Sequence, residues 1–128
     1  MTTKKKREKL IINTKMWLHR EGAAPSLLLR TLDGKRCCLG IYLQDNCGVS
    51  PDFLRGVLSP GLLPESVALP DWMIIEDINF TLVEKMMTVN DDANLTEEEV
   101  RAQIMQLFAE ADIDVEYVDN EPSGTTLP

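Results

Sequence analysis

The sequence TEEEVRAQIMQLFAEADIDVEYV, residues 96–118, predicts a helix followed by a strand. Thr96 and Glu99 form the pattern of a capping box, in which each side chain bonds the backbone N–H of the other. Apolar residues then recur at three- and four-residue steps from Val100 to Ala111, as on the buried face of a helix. From Ile113 onward apolar and acidic residues alternate, which is typical of a strand with one exposed face.

Two helices are predicted upstream of this pair. Ser50, Pro51 and Asp52 suit the cap and first turn of a short helix through Phe53 and Leu58, and apolar spacing predicts a longer helix from Phe80 to Asn90. The proline-punctuated segment between them is expected to pack in extended form across the core. The sequence leaves open whether its apolar residues are core or an exposed docking patch: Leu62, Leu63, Val67 and Leu69.

The N-terminal part predicts a helix over Lys4–Glu21 and then a hairpin. In the hairpin, strands over Leu27–Leu32 and Lys35–Leu39 flank Asp33-Gly34, a dipeptide that supplies positive φ at a tight turn. The segment 40–44 either continues the second strand or opens a helix. Together these elements predict an α+β fold with three or four helices packed on a short antiparallel sheet. Residues 1–119 form a single domain, with residues 1–8 as a frayed basic arm and 120–128 as a disordered acidic and polar tail.

Charge is unevenly distributed along the 128 residues, whose net charge is −8. Residues 1–36 hold ten of the 13 basic residues, whereas 18 of the 21 acidic residues follow them. This balance excludes a duplex-binding domain that works by overall positive charge. No apolar run approaches a membrane span or a secretory signal, and three cysteines do not make a disulfide framework, so we expect a soluble protein in a reducing cytoplasm.

Few residues suggest chemistry. A metal or thiol site is conceivable from Cys37, Cys38, Cys47 and His19, but adjacent cysteines in a strand point to opposite faces, which disfavours shared zinc ligation. We expect one of Cys37 and Cys38 to be a core residue and the other a partly covered thiol. The sequence contains no phosphate-loop, dinucleotide, zincin or hydrolase motif, so it implies no catalytic residue and no cofactor. Acidic candidates for contacting a partner are Asp91, Asp92, Glu97, Glu98, Asp114 and Glu116.

Several motifs together resemble a loose group of small uncharacterised proteins encoded by bacteriophages and prophages. They are Trp17, the pair Leu29-Arg30, the segment Gly34-Lys35-Arg36-Cys37-Cys38-Leu39-Gly40, the segment Leu69-Pro70-Asp71-Trp72 and the segment Val89-Asn90-Asp91. In that group a helix with Trp precedes a G-x-x-CCLG segment, and an Asn-Asp pair precedes the final helix. The similarity spans roughly residues 15–110. It implies a phage accessory protein and carries over no catalytic residues.

The functional expectation is a non-enzymatic phage accessory protein that binds and modulates a host protein in the host cytoplasm, such as a defence or nucleic-acid-processing component. One alternative is a thiol- or metal-dependent site built on the three cysteines and His19. A second is nucleic-acid contact through the basic arm, although aromatic residues are nearly absent among its basic ones.

Overall fold

A computed structural model of the chain describes residues 8–20, 27–73 and 80–119. In chain order the elements are β1 (Glu8–Asn13), α1 (Cys38–Asp45), α2 (Pro51–Leu54), α3 (Phe80–Asp91), α4 (Glu97–Glu110) and β2 (Ile113–Val118). Short 3-10 turns lie at Thr14–Met16, Pro60–Leu62 and Asp71–Met73. The predicted tail 120–128 and the predicted basic arm, apart from Glu8, lie outside the described residues.

The predicted helix–strand pair is confirmed. Glu99 N donates to Thr96 Oγ1 at 3.1 Å, and Thr96 N donates to Glu99 Oε1 at 2.8 Å, which completes the capping box at the start of α4. The buried stripe of α4 includes Ile104 and Phe108. The predicted cap of α2 is also present, since Asp52 N donates to the Ser50 hydroxyl.

The expected antiparallel sheet is wrong. Strands β1 and β2 pair in parallel over their full length, from Glu8 opposite Ile113 to Asn13 opposite Val118, and the sheet of the described residues has these two strands. Because the two strands stand near opposite ends of the chain, no turn signal in the sequence reports their pairing. The mixed α+β class itself agrees with the structure.

The helix expected over Lys4–Glu21 is also wrong for the part that the structure describes. Residues 8–13 form β1, in which Leu10 and Ile12 are buried while Lys9 and Ile11 are exposed. Burial therefore alternates with the period of two of a strand and does not follow the three- and four-residue spacing of a helix. Adjacent β-branched residues, which fit a pleated surface well, favour the strand further.

The turn at Asp33-Gly34 forms, but the predicted hairpin strands do not. Gly34 has a φ of +75°, and Arg30 N donates to Lys35 O at 2.8 Å across the turn. The segment before the turn also bonds another part of the chain, since Leu28 N donates to Val57 O at 2.8 Å. After the turn, the chain enters α1 at Cys38, which settles the open alternative for residues 40–44 as a helix.

Helix α1 lies at the centre of the core. Its residues from Cys38 to Leu43 are all buried, including Gly40. A Cβ atom at Gly40 would lie 1.8 Å from the carbonyl oxygen of Leu28, so only glycine permits this close approach. This contact fixes the segment before the turn against the helix after it.

Candidate functional site

Asn90, at the C-terminal end of α3, is a buried polar residue that joins three segments. Its side chain is 1% exposed. Its Oδ1 accepts from Trp17 Nε1 at 2.8 Å and from Cys38 N at 3.1 Å, while its Nδ2 donates to Leu18 O at 2.9 Å. Its carbonyl oxygen accepts from Arg20 N at 2.7 Å. Every polar atom of this side chain is therefore used to hold the N-terminal segment and α1 against α3.

The residues that meet at Asn90 belong to the motifs singled out in the sequence. Trp17 contributes its indole, the CCLG segment contributes the backbone N–H of Cys38, and the Asn-Asp pair contributes the amide that receives both. Gly40 of the same segment makes the close approach to Leu28. The motif residues thus hold the N-terminal segment, α1 and α3 together, and their positions in the sequence did not predict these contacts.

His19 links the N-terminal segment to α4, in addition to the link to α3 made by Asn90. Its ring stacks on Trp17 with centroids 3.7 Å apart and planes 5° apart. Nδ1 lies 2.8 Å from Trp17 O, and Nε2 lies 2.8 Å from Glu97 Oε1. Each ring nitrogen of His19 therefore lies within hydrogen-bond distance of an oxygen atom.

Glu97 uses both carboxylate oxygens. Oε1 meets His19, and Oε2 accepts from Arg101 Nε at 3.0 Å. Partial burial opposes ionisation, but the hydrogen bonds from His19 and Arg101 lower the pKa of the Glu97 carboxyl overall. Arg101 also lies over the Tyr117 ring, 5.4 Å from its centroid. Through Glu97 and Arg101, α4 therefore contacts His19 of the N-terminal segment and Tyr117 of β2. These are the contacts of an ion pair that stabilises the fold.

The three cysteines are free thiols. Cys37 and Cys38 are both buried, contrary to the expectation that one would be partly covered, because they cap and begin the central helix rather than alternate along a strand. Burial raises the pKa of Cys37 to about 11 and that of Cys38 well above its usual value. Burial also raises the pKa of the half-buried Cys47. Protonated thiols are poor nucleophiles, so this arrangement favours core packing.

Metal ligation finds no support where the structure is described. Among those residues no group of three or more His, Cys, Asp or Glu side chains could hold a metal ion. His19, the single histidine of the chain, is engaged by Trp17 and Glu97.

The six acidic candidates separate into two groups. Those at the α3–α4 junction largely serve the local structure: Asp91 accepts from Asn90 Nδ2, Asp92 accepts from Asn94 N at 2.8 Å, and Glu97 binds His19. Glu98 is exposed on the first turn of α4. The second group, Asp114 and Glu116, lies on the exposed face of β2. The six candidates therefore lie on two different parts of the described fold.

Exposed apolar side chains occur between Phe53 and Leu62, and Leu62 is one of the residues for which the sequence left core or docking patch open. Phe53 is 43% exposed, Leu58 is 44% exposed and Leu62 is 65% exposed, all within ten residues of chain. Leu63, Val67 and Leu69 pack partly against the core. A cavity of about 340 Å³ lies beside Phe53, lined also by Cys47, Val49, Val67 and Ala68. We call Phe53, Leu58 and Leu62 the apolar segment.

The sequence predicts a short helix that runs through Phe53 to Leu58. Helix α2 instead ends at Leu54, and Gly56 follows with a φ of +74°. The glycine was the available signal, because it marks a place where the backbone leaves helical geometry.

Comparison with known proteins gives no match: no protein-family model, no curated protein and no solved structure is similar to the chain. No helix in the described ranges is long and apolar enough to cross a membrane.

Proposed function

We propose that the chain is a phage-encoded accessory protein that binds a host protein and modulates it without catalysing a reaction. The observation that carries this proposal is the exposure of the apolar segment, Phe53, Leu58 and Leu62. Single exposed apolar residues are ordinary, but here three lie within ten residues of chain and one of them, Phe53, lines a cavity. Exposed apolar residues of this kind are a feature of protein-binding surfaces.

The local geometry suits such a surface. Phe53 stands beside buried Leu54 on a one-turn helix whose Ser50 cap and Asp52–Arg55 ion pair hold its shape. An aromatic side chain presented from a fixed backbone loses little conformational entropy on binding, so it can serve as an anchor.

The proposed phage origin and the proposed absence of catalysis have separate grounds. The phage origin rests on the resemblance of the Trp17, CCLG and Asn-Asp motifs to the phage group, and the site of action would then be the host cytoplasm. The absence of catalysis rests on the polar groups themselves, since His19, Glu97 and Asn90 each use their hydrogen-bonding atoms within the fold.

The test is affinity capture from a host lysate with three forms of the chain. The wild type should retain a partner that the double variant F53S/L62S loses. The variant Leu32→Ser is the matched control, because Leu32 is 87% exposed on the turn before Gly34 and lies outside the apolar segment. Far-UV circular dichroism and thermal melts of all three forms confirm that the fold is retained.

Function is tested on the purified partner. Its activity should change when the wild type is added and should not change with the double variant. A partner retained equally by F53S/L62S, or a phage lacking the gene that grows normally on hosts carrying defence systems, would refute the proposal.

The two alternatives have separate tests. Nucleic-acid contact through the basic arm predicts salt-dependent binding that is lost when residues 1–7 are deleted. A metal or thiol site predicts bound zinc in the purified protein or rapid native labelling of Cys37 and Cys38.

A further inference from the structure

The cavity beside Phe53 is lined by two separate segments of the chain. Residues 47–50, which connect α1 to α2, line it together with residues 66–68. Phe53 of α2 lines it as well and is 43% exposed. All of these residues belong to the described part of the chain. The cavity therefore lies where the end of α1, the helix α2 and the proline-punctuated segment meet.

Backbone hydrogen bonds hold both lining segments in place. In the first, Val49 N donates to Leu43 O at 3.0 Å, which bonds the segment to α1. Val49 is also only 8% exposed, so it belongs to the core. In the second, Val67 N donates to Pro64 O at 3.0 Å. A cavity that is formed before binding loses little conformational entropy when a ligand group enters it.

The size of the cavity suits one large side chain. Its volume is about 340 Å³. An apolar cavity of about 150 Å³ is already enough to bind benzene, and sites for whole small molecules begin at about 300 Å³. The space therefore admits an aromatic ring or a branched aliphatic group together with part of the backbone that carries it.

None of the described residues that line the cavity carries a charge. Their polar side-chain atoms are the thiol of Cys47 and the hydroxyls of Ser50 and Ser66. One of these already has a partner, since Asp52 N donates to the Ser50 hydroxyl at 3.2 Å. Moving a charged group out of water is costly when no opposite charge pairs with it. The lining therefore selects an uncharged occupant.

The apolar side chains of the lining favour an aromatic occupant. Val49 and Val67 supply aliphatic surface, and Phe53 supplies a ring. A second ring beside Phe53 can pack in offset-stacked or edge-to-face geometry, which adds to the gain from burying apolar area. A large aliphatic side chain also fits the valines but lacks this contact between rings.

Phe53 belongs both to the cavity and to the apolar segment, which indicates where the occupant comes from. Leu58 and Leu62 follow it in the chain and are 44% and 65% exposed. A protein surface that covers the apolar segment brings its own side chains to the cavity, whereas a free small molecule leaves Leu58 and Leu62 in water. Binding energy at protein interfaces is commonly concentrated in such a side chain that fills a pocket.

We propose that this cavity is the anchoring pocket of the interface and receives one aromatic or large aliphatic side chain of the partner protein. The inserted side chain packs against Phe53 and the two valines. This inference rests on the proposed function, because it names what the partner brings to the surface that contains Phe53. It is also narrower, because a partner can cover the apolar segment without filling the cavity.

The probe is N-acetyl-phenylalaninamide, which carries one aromatic side chain on an uncharged backbone. NMR follows its binding to the full chain through the methyl groups of Val49 and Val67, both of which line the cavity. Their shifts should saturate with a Kd in the millimolar range, since a ligand of this size gains little free energy per atom. The glycine analogue, which lacks a side chain, and the aspartate analogue, which is charged, should give no saturable shift.

Cys47 offers a chemical way to fill the cavity. N-ethylmaleimide attached to its thiol occupies the space that the phenyl ring needs, so the treated wild type should lose the saturable shift. The control is Cys47→Ala, whose titration should be the same before and after treatment, because the other two cysteines are buried. Far-UV circular dichroism verifies that the treated protein retains its fold.

A substitution fills the cavity without any reagent. Ala68→Phe adds a ring at a lining residue and should also abolish the saturable shift. The matched control is Ala109→Phe, which adds the same ring at an exposed alanine of α4 and should leave the shift unchanged.

The captured partner separates this inference from the proposed function. N-ethylmaleimide should abolish capture by the wild type but not by Cys47→Ala. If F53S/L62S loses the partner while the treated wild type retains it, the anchoring pocket is refuted and the proposed function stands. The pocket is also refuted if the phenylalanine probe gives no saturable shift, if the glycine analogue gives an equal one, or if Ala109→Phe loses it as Ala68→Phe does.

Discussion

Replacing Asn90 by alanine tests the main structural conclusion most directly. The change leaves the Trp17 indole N–H and the Cys38 backbone N–H without an acceptor, and Leu18 O without a donor. Each buried polar group left unsatisfied costs about 1–3 kcal/mol. Because the three groups share one site and their losses are not additive, we expect Asn90→Ala to lower the free energy of unfolding by about 3–5 kcal/mol. That is a large part of the roughly 5–15 kcal/mol typical of a domain.

The assay is urea unfolding followed by tryptophan fluorescence and by far-UV circular dichroism. The free energies of wild type and variant can be compared if both probes give the same transition and if the slope of the unfolding free energy against urea concentration is unchanged. Asn90→Asp preserves the side-chain volume but replaces the donor to Leu18 O with an oxygen, so it should also be strongly destabilising. Asn94→Ala is the control, because Asn94 is exposed and should change stability by less than about 0.5 kcal/mol. If Asn90→Ala were as close to wild type as Asn94→Ala, the reasoning would be refuted.

Three other properties follow from single sites. Gly40→Ala should prevent stable folding, because its Cβ would stand 1.8 Å from the backbone oxygen of Leu28; a cooperative thermal transition near that of wild type would contradict the close packing. The hydrogen bond from Arg30 lowers the pKa of Asp33 from 3.8 to about 2, so the stability it contributes is present above about pH 4 and is lost as the pH falls toward 2. NMR titration should find this carboxyl pKa near 2 and find it higher in Arg30→Gln, and equal values would be inconsistent with the pairing. Native labelling with iodoacetamide should modify Cys47 before the other two cysteines, which are buried; mass spectrometry showing the reverse order would contradict their core position.

Local signals predicted the C-terminal part of the fold well. The capping box at Thr96 and the stripe from Val100 to Phe108 act within a few residues of chain, so the sequence alone indicates where α4 begins and which face it buries. The same holds for the alternation in β2 and for the Ser50 cap. These elements depend little on distant partners.

The N-terminal part was predicted poorly because distant contacts decide it. Leu10 fits a helical spacing with Ile11, Thr14 and Trp17 and also a period of two with Ile12, and pairing with β2 selects the strand. The turn at Gly34 formed as expected, but its flanks share only a few backbone hydrogen bonds and also bond other segments, such as Val57 and Leu18, so no regular hairpin results. A short periodic pattern cannot distinguish these outcomes when the deciding partner lies far away in the chain.

For the candidate sites too, the sequence indicated individual residues but not the contacts between residues far apart in the chain. The resemblance singled out Trp17, the CCLG segment and Asn90, but only the structure shows that they meet at the buried amide of Asn90. The acidic residues were selected by charge, and charge does not report which carboxylates the fold uses internally. The exposure of Phe53 was not predicted, because an apolar residue in a one-turn helix does not itself report which side of the helix the core covers.

The pairing of β1 with β2 bears on how the protein is made. A ribosome adds about 5–20 residues per second, and the paired strands are separated by about 100 residues, so β1 waits roughly 5–20 seconds for its partner to be synthesised. During this interval the apolar side of β1 has no strand to cover it. Closing such a long stretch of chain is also slow compared with forming the helices. The sheet therefore forms only after residues 113–118 have been synthesised, and a nascent chain that stops before residue 113 has no β2 with which to complete it.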